Sequence, residues 1–273
     1  MRRRFARRCA ESTGRSGGAS DEWKNMPIEL RVRVTRSAAV ARASQNPAAM
    51  PSQLGVIDRV VTDRKQLALT FDDGPSHWTD QILDALVEKK AQATFFVRGG
   101  AVDADTAQTI TRAVRTGCEI GNHTHNHLSY AFCDDPTARR EFAQTHALLE
   151  KLTGAAPMYA RPPFGDAPER LDEIAAAYAY RATIMWSISP DDWEEPQPRA
   201  DTIVELVLTQ LHPGAIVLLH DGWDPERGEL SRRETVAAVR RLLPELGARG
   251  YTAVTVPRLL EENGGDANRR PST

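Results

Sequence analysis

Short apolar runs along the chain alternate with longer stretches whose apolar positions recur every three or four residues. The short runs lie at 66–71, 93–97, 119–121, 158–160, 182–188, 215–219 and 252–256, and their length and apolar density predict strands. The stretches between them predict helices. Residues 79–89 carry Ile82, Leu83 and Leu86 on one face. Residues 105–115 open with Asp105 and Gln108 at the spacing of a capping box. Residues 138–152 and 169–178 follow. Asp201 stands as an N-cap before 202–211. Residues 231–246 open with Ser231 and Glu234, a second capping-box spacing, and end near Gly247. Alternation of strand and helix argues for a parallel sheet flanked by helices. Seven strands can close into a barrel or form an open doubly wound sheet, and the pattern alone does not choose. There is no internal repeat.

The flanks read differently. Residues 1–55 are rich in Arg, Ala, Ser, Gly and Pro, with only a brief alternation at Leu30, Val32 and Val34, and are expected to be a mostly disordered basic extension. Residues 262–273 are polar with a Gly-Gly pair and are expected to be a disordered tail. One folded domain, 56–261, remains.

Composition narrows the possibilities. The chain is 41% hydrophobic and 26% charged, ordinary for a globular protein, and no run of 18 apolar residues suggests a transmembrane segment. The formal net charge of −2 hides an asymmetry: residues 1–36 hold ten Lys/Arg against four Asp/Glu, leaving 25 against 33 for the rest. A net-acidic body is a poor nucleic-acid partner, since phosphate neutralisation needs clustered cations. The basic head, with Arg2, Arg3, Arg4, Arg7 and Arg8, reads as a solvated tail. It resembles the start of a secretory signal, but no apolar core follows. Cys9, Cys118 and Cys133 are too few and scattered for a disulfide framework.

The polar residues that interrupt the apolar runs fall at the ends of strands. Asp72 and Asp73 follow the first, His123 and His127 the third, Arg161 the fourth. Asp192 and Trp193 lie beyond the fifth, and His220 and Asp221 end the sixth. Parallel strands all point one way, so these residues are expected to converge on the rim where α/β folds carry their sites. His123 and His127, four apart, share a face at helical pitch, with His125 turned away. With a carboxylate from Asp72 or Asp73 they make a set that binds Zn²⁺ or similar ions and leaves a position open. Two adjacent acids repel unless a metal takes one and a cation the other. Arg161, stiffened by Pro162, Pro163 and Gly165, aims a guanidinium. Asp192-Trp193 pairs an acid with an aromatic suited to sugar stacking, although a Trp is also simply a large core residue. His77, His146 and His212 have no partners at useful spacing.

These segments, in this order, resemble the five motifs of carbohydrate esterase family 4, the NodB-homology or polysaccharide deacetylase domain, over roughly residues 60–260. Thr70-Phe71-Asp72-Asp73-Gly74 is similar to its TFDDG, and His123-Thr124-His125-Asn126-His127 to its H(S/T)xxH. Arg161-Pro162-Pro163-Phe164 is similar to its arginine–proline–aromatic motif. Asp192-Trp193 resembles the end of DxxDW, and Ile216-Val217-Leu218-Leu219-His220 its LxLxH. Ser189 stands where the fourth motif opens with aspartate, Phe164 where tyrosine is common, and Ile216 where leucine is common.

The resemblance implies an α/β fold, the distorted (β/α)7 barrel, and a hydrolase that removes N-linked acetyl groups from amino sugars of chitooligosaccharide or peptidoglycan type. It implies a divalent metal, Zn first with Co or Ni possible, on Asp73, His123 and His127. It implies Asp72 as general base held by Arg161, and His220 as general acid supported by Asp192. Trp193, Phe164 and Leu218 are implied at the substrate, with the backbone N–H of Phe164 toward the oxyanion. An O-acetyl esterase acting on polysaccharide, an N-deacylase of small molecules and a non-catalytic sugar-binding domain are the rival readings. The sequence infers no protein partner. Without a visible export signal the chain as written is expected to be cytoplasmic, although the family resemblance implies work that is often at the cell wall or outside the cell.

Overall fold

The computed structural model describes residues 55–263 and the backbone of 267–269. The expected extension up to residue 54, with its arginines, Cys9 and the alternation at Leu30, lies outside the described residues. The strands are β1 (Val56–Val60), β2 (Gln66–Asp72), β3 (Thr94–Val97), β4 (Glu119–Asn122), β5 (Tyr159–Ala160), β6 (Ala182–Ile184), β7 (Ala215–His220), β8 (Thr252–Val254) and β9 (Ala267–Arg269). The helices are α1 (His77–Glu88), α2 (Thr106–Arg115), α3 (Asp135–Thr153), α4 (Pro168–Ala176), α5 (Ala200–Thr209), α6 (Arg233–Ala248) and α7 (Val256–Glu262). Within the terminal segment expected to lack structure, β9 pairs antiparallel with β1.

The strands close into a ring in the order β2-β3-β4-β5-β6-β1-β7 and back to β2. The barrel is distorted at two places. The second edge of β2 is divided: Gln66, Leu67 and Ala68 pair with β8, and Thr70, Phe71 and Asp72 with β3. Between β6 and β7, β1 is inserted, parallel to β6 but antiparallel to β7 at Arg59 and Ala215, while further along the wall Ile188 pairs directly with Val217. The ring thus has seven strands, but not the seven expected. The run at 252–256 gives β8, outside the ring path, and β1 takes its place. Asp58 and Arg59 interrupt the apolar run of β1, which is why it carries no strand signal of its own.

Both faces of the wall are buried, so side-chain alternation sorts residues between two cores. Leu67, Leu69 and Phe71 of β2 and Ala215, Val217 and Leu219 of β7 face the helices, packing with Ile82, Leu86, Ile203, Val239 and Leu242. Ala68 and Ile216 face the lumen with Phe96, Tyr159, Ile184 and Val254. By the same alternation Thr70, Asp72, Leu218 and His220 stand on the lumen side, toward the carboxyl rim.

Helix starts differ from expectation in their caps. Asp105 is itself helical (φ −79°, ψ −48°) and makes no side-chain cap. Asp103 accepts from the Thr106 amide at 2.8 Å instead. Ser231 and Glu234 form no capping box; Glu234 reaches across to the Ala200 amide at 2.8 Å and caps α5, in the place given to Asp201, which falls in the first turn.

Candidate active site

The carboxyl end of β2 turns sharply. Asp73 adopts φ 72°, in the left-handed region, and swings its side chain beneath the loop that follows β4. That turn is clamped from β7. The amides of Asp221 and Gly222 donate to the Asp72 carbonyl at 3.1 and 3.3 Å, and the Gly74 amide donates to Asp221 Oδ1 at 3.2 Å. Gly222 is required by close approach: a Cβ there would lie 2.2 Å from the Asp73 carbonyl oxygen.

His123 and His127 meet Asp73, but not by helical pitch. Residues 123–127 form an irregular loop in which Thr124 and His127 have φ 64° and 60°. These two left-handed residues fold the segment back on itself, so the expected one-turn helical spacing is replaced by a loop that brings both rings to one side. Asp73 Oδ1 lies 3.1 Å from His127 Nε2 and 3.4 Å from His123 Nε2. All three residues are buried, and one ligand atom from each falls within 4.8 Å of the others. His123 Nδ1 donates to the Arg161 carbonyl at 2.8 Å, which leaves Nε2 bare toward Asp73. Asp73 Oδ1 is buried without a hydrogen-bond partner. A buried carboxylate oxygen left open between two imidazole nitrogens fits a divalent cation of the Zn²⁺ class, and this N, N, O set leaves room for further ligands. Burial alone would raise the Asp73 carboxyl, but His127, His123 and His220 hold it well below the usual range. His125 is not part of this group, as expected.

Asp72 points the other way, into the lumen. Arg161 is fully buried there and is satisfied on every side. Nη1 donates to Asp72 Oδ1 at 2.7 Å and to Thr70 Oγ1 at 2.8 Å; Nε and Nη2 donate to the carbonyls of Ile184 and Met185 at 2.9 and 3.0 Å. The guanidinium lies 4.2 Å from the ring centre of Phe96 and 5.6 Å from that of Trp186. Asp72 Oδ2 remains on the side of the imidazoles, 3.8 Å from His123 Nε2.

On the opposite flank His220 Nδ1 bonds Asp192 Oδ1 at 2.7 Å, while Asp192 Oδ2 accepts from the His220 amide and from Thr235 Oγ1. Burial lowers the His220 pKa, but Asp192 and Asp73 more than reverse this and raise it above the ordinary value. Asp221, buried beside Asp72 and Asp73, is pushed up to about 7 by burial, against the hydroxyl of Thr79.

The remaining expected residues lie around this group. Phe164, at φ 60°, is 43% exposed and packs against His127 with ring centres 4.4 Å apart and ring planes tilted by 59°. Trp193 is half-buried, with the Arg227 guanidinium 5.8 Å from its ring centre. Leu218 is buried in β7. The hydroxyl of Ser189 donates to Asp191 at 2.8 Å, on an exposed turn. All seven charged candidates therefore share one rim. Three polar participants escaped the sequence reading: Asp224, whose Oδ1 is 3.7 Å from His127 Nδ1, and Arg232 and Thr235, which grip Asp192 from the start of α6. The second acid in Asp221-Gly222-Trp223-Asp224 was the available signal for Asp224. Arg232 and Thr235 carry none, because nothing in a helix start reveals which loop it faces.

Comparison with known proteins points the same way. The family described as Polysaccharide deacetylase matches residues 59–183. A chitooligosaccharide deacetylase of Sinorhizobium fredii is 36% identical over 212 residues, covering 75% of this chain and 96% of the relative. A peptidoglycan-N-acetylglucosamine deacetylase of Bacillus cereus is 37% identical over 202 residues, 74% of this chain and 91% of its own. The crystal structure of a peptidoglycan N-acetylglucosamine deacetylase superposes with a TM-score of 0.68 at 30% identity, covering 76% of this chain and 92% of that one.

Proposed function

The chain belongs to the polysaccharide deacetylase family, and from that membership and the geometry of the rim we propose that it is a divalent-metal-dependent hydrolase removing N-linked acetyl groups from amino sugars. The observation that carries the reading is the open Asp73 Oδ1 between two imidazole nitrogens, flanked by Asp72 on Arg161 and by His220 on Asp192.

Asp73, His123 and His127 would hold a divalent cation, which would supply Lewis acidity toward the acetyl carbonyl and the attacking water. Zn²⁺ suits this ligand set, and Co²⁺ or Ni²⁺ are substitutes. Asp72, with Oδ1 fixed by Arg161, takes the water's proton on Oδ2 as general base. The Phe164 backbone N–H is the donor we assign to the oxygen that gains charge as the carbonyl becomes tetrahedral. His220, with Nδ1 committed to Asp192, delivers a proton from Nε2 to the departing sugar amine. An amide needs that proton because an amine anion is a poor leaving group. Trp193, Phe164 and Leu218 line the groove for the sugar.

The substrate class follows the relatives, whose names specify chitooligosaccharide and peptidoglycan N-acetylglucosamine. The test is acetate release from chitooligosaccharides, peptidoglycan and acetylxylan, with chelator and with Zn²⁺, Co²⁺ or Ni²⁺ restored. Release from the first two, lost with chelator, supports the reading. Release from acetylxylan alone, or release indifferent to chelator, rejects it.

A further inference from the structure

The two imidazoles beside Asp73 are backed by different groups. His123 Nδ1 donates to a neutral carbonyl, that of Arg161, at 2.8 Å. His127 Nδ1 is buried without a hydrogen-bond partner, and a carboxylate oxygen, Asp224 Oδ1, stands 3.7 Å from it. Both side chains are shielded, with 5% and 12% exposure. Asp224 is not adrift on its loop. Its Oδ1 accepts from the Glu226 amide at 3.0 Å and its carbonyl from the Arg227 amide at 2.9 Å, a turn that aims the carboxylate at His127. Arg227 then ties the same turn to the Trp193 carbonyl at 2.9 Å.

We propose that Asp224 is the positioning carboxylate of His127. It accepts the Nδ1 proton, fixes the tautomer that leaves Nε2 bare toward Asp73, and makes His127 the more basic of the two nitrogen donors to a divalent cation. At 3.7 Å the two atoms are not hydrogen-bonded, and an approach of about 1 Å would bring them to hydrogen-bonding distance. The inference rests on the ligand set proposed above. It adds a residue outside the five motifs, on the β7–α6 loop, and makes ion retention depend on that loop.

The experiment measures Zn²⁺ dissociation constants of the full chain, stripped of metal, by competition with a chromophoric chelator. The proteins are wild type, Asp224→Ala, Asp224→Asn, His127→Ala and the His127→Ala/Asp224→Ala double variant. Asp224→Ala is expected to weaken Zn²⁺ binding by about 10–100-fold, the usual effect of losing an outer partner of a metal-bound histidine. Asp224→Asn, which keeps the shape and a neutral acceptor, falls between the two, and carries the test if the alanine variant does not fold. In the His127→Ala background the second substitution is expected to cost nothing further, since a positioning residue acts only through the group it positions. Unchanged affinity in both Asp224 variants, or an equal loss in the His127→Ala background, overturns the proposal. Undiminished binding by His127→Ala overturns the ligand set itself, and is distinguishable from failure of Asp224 alone.

Discussion

Asp72 and His220 are register partners on the adjacent parallel strands β2 and β7, so their side chains leave the wall on the same side, one pairing step apart. Each is backed by a buried group of opposite charge: Arg161 behind Asp72, Asp192 behind His220. The wall itself thus sets the separation of a carboxylate and an imidazole across one position at the mouth of the barrel.

If these two groups move the protons of one reaction, Asp72→Asn and His220→Gln each lower kcat/KM by about 10²–10⁴-fold, the usual yield of general acid–base catalysis. Circular dichroism of both variants is expected to match the parent. Acetate release undiminished in either variant removes that residue from the mechanism.

The Asp72–Arg161 pair also bears on stability. Arg161→Met strands a carboxylate in the lumen and is expected to cost about 3–5 kcal/mol in urea unfolding. Arg161→Met with Asp72→Leu is expected to recover most of this while remaining inactive, because an apolar pair replaces an ion pair at little net cost. A double variant no more stable than Arg161→Met alone argues against the pairing.

Much of this was legible in the sequence, and the limits have physical causes. Apolar runs located β2, β3 and β7 closely, because a strand buried on both faces is apolar along most of its length. For the same reason the runs could not say which side chains face the lumen, and Arg161 in its Pro-rich setting gave no sign of complete burial. The side chains that gather at the rim were read from strand ends and motif order. The route by which His123 and His127 meet was not, since backbone at φ 64° and 60° leaves no mark on a spacing that a helix would also produce. β1 was hidden by Asp58 and Arg59, and Asp224 by lying in a loop without periodicity.

The His220–Asp192 pair makes stability depend on pH in a definite direction. His220 is raised by Asp192 and Asp73 against burial; Asp192 is lowered by His220 and Arg232 against burial. A raised histidine contributes stability that is full below its unfolded value of about 6.5 and fades as pH climbs through its folded value. A depressed carboxylate contributes above about 3.9 and loses that contribution as pH falls through its folded value. In metal-free protein, the stability gap between wild type and His220→Gln is expected to be widest near about pH 6 and to narrow toward alkaline pH. Guanidinium titrations across that range measure it, and a gap that widens with pH contradicts the charged pair.

Gly222→Ala tests the clamp on the Asp73 turn. The added Cβ meets the Asp73 carbonyl oxygen at 2.2 Å, so the backbone carrying Asp73 has to move. An overpacking cost of about 1–3 kcal/mol is expected, together with weaker Zn²⁺ binding. Parent-like affinity in a folded Gly222→Ala protein shows that the corner does not set the ligand's place.

Metal removal has a reading apart from turnover. With Zn²⁺ at a hundredfold excess over its dissociation constant, unfolding is expected to become about 2.7 kcal/mol harder than in chelator. His123→Ala is expected to abolish the difference, and a Tm indifferent to metal in the parent denies an ion at this site.

Arg161 fills a layer of the lumen that Phe96 and Trp186 close from the side, and it is at once a packing element and the counter-charge of Asp72. At that level a charged side chain takes the place of an apolar one. Any redesign that swaps the guanidinium for a greasier filling to harden the scaffold also rewires the carboxylate next to it, so durability and reactivity cannot be tuned there as separate traits.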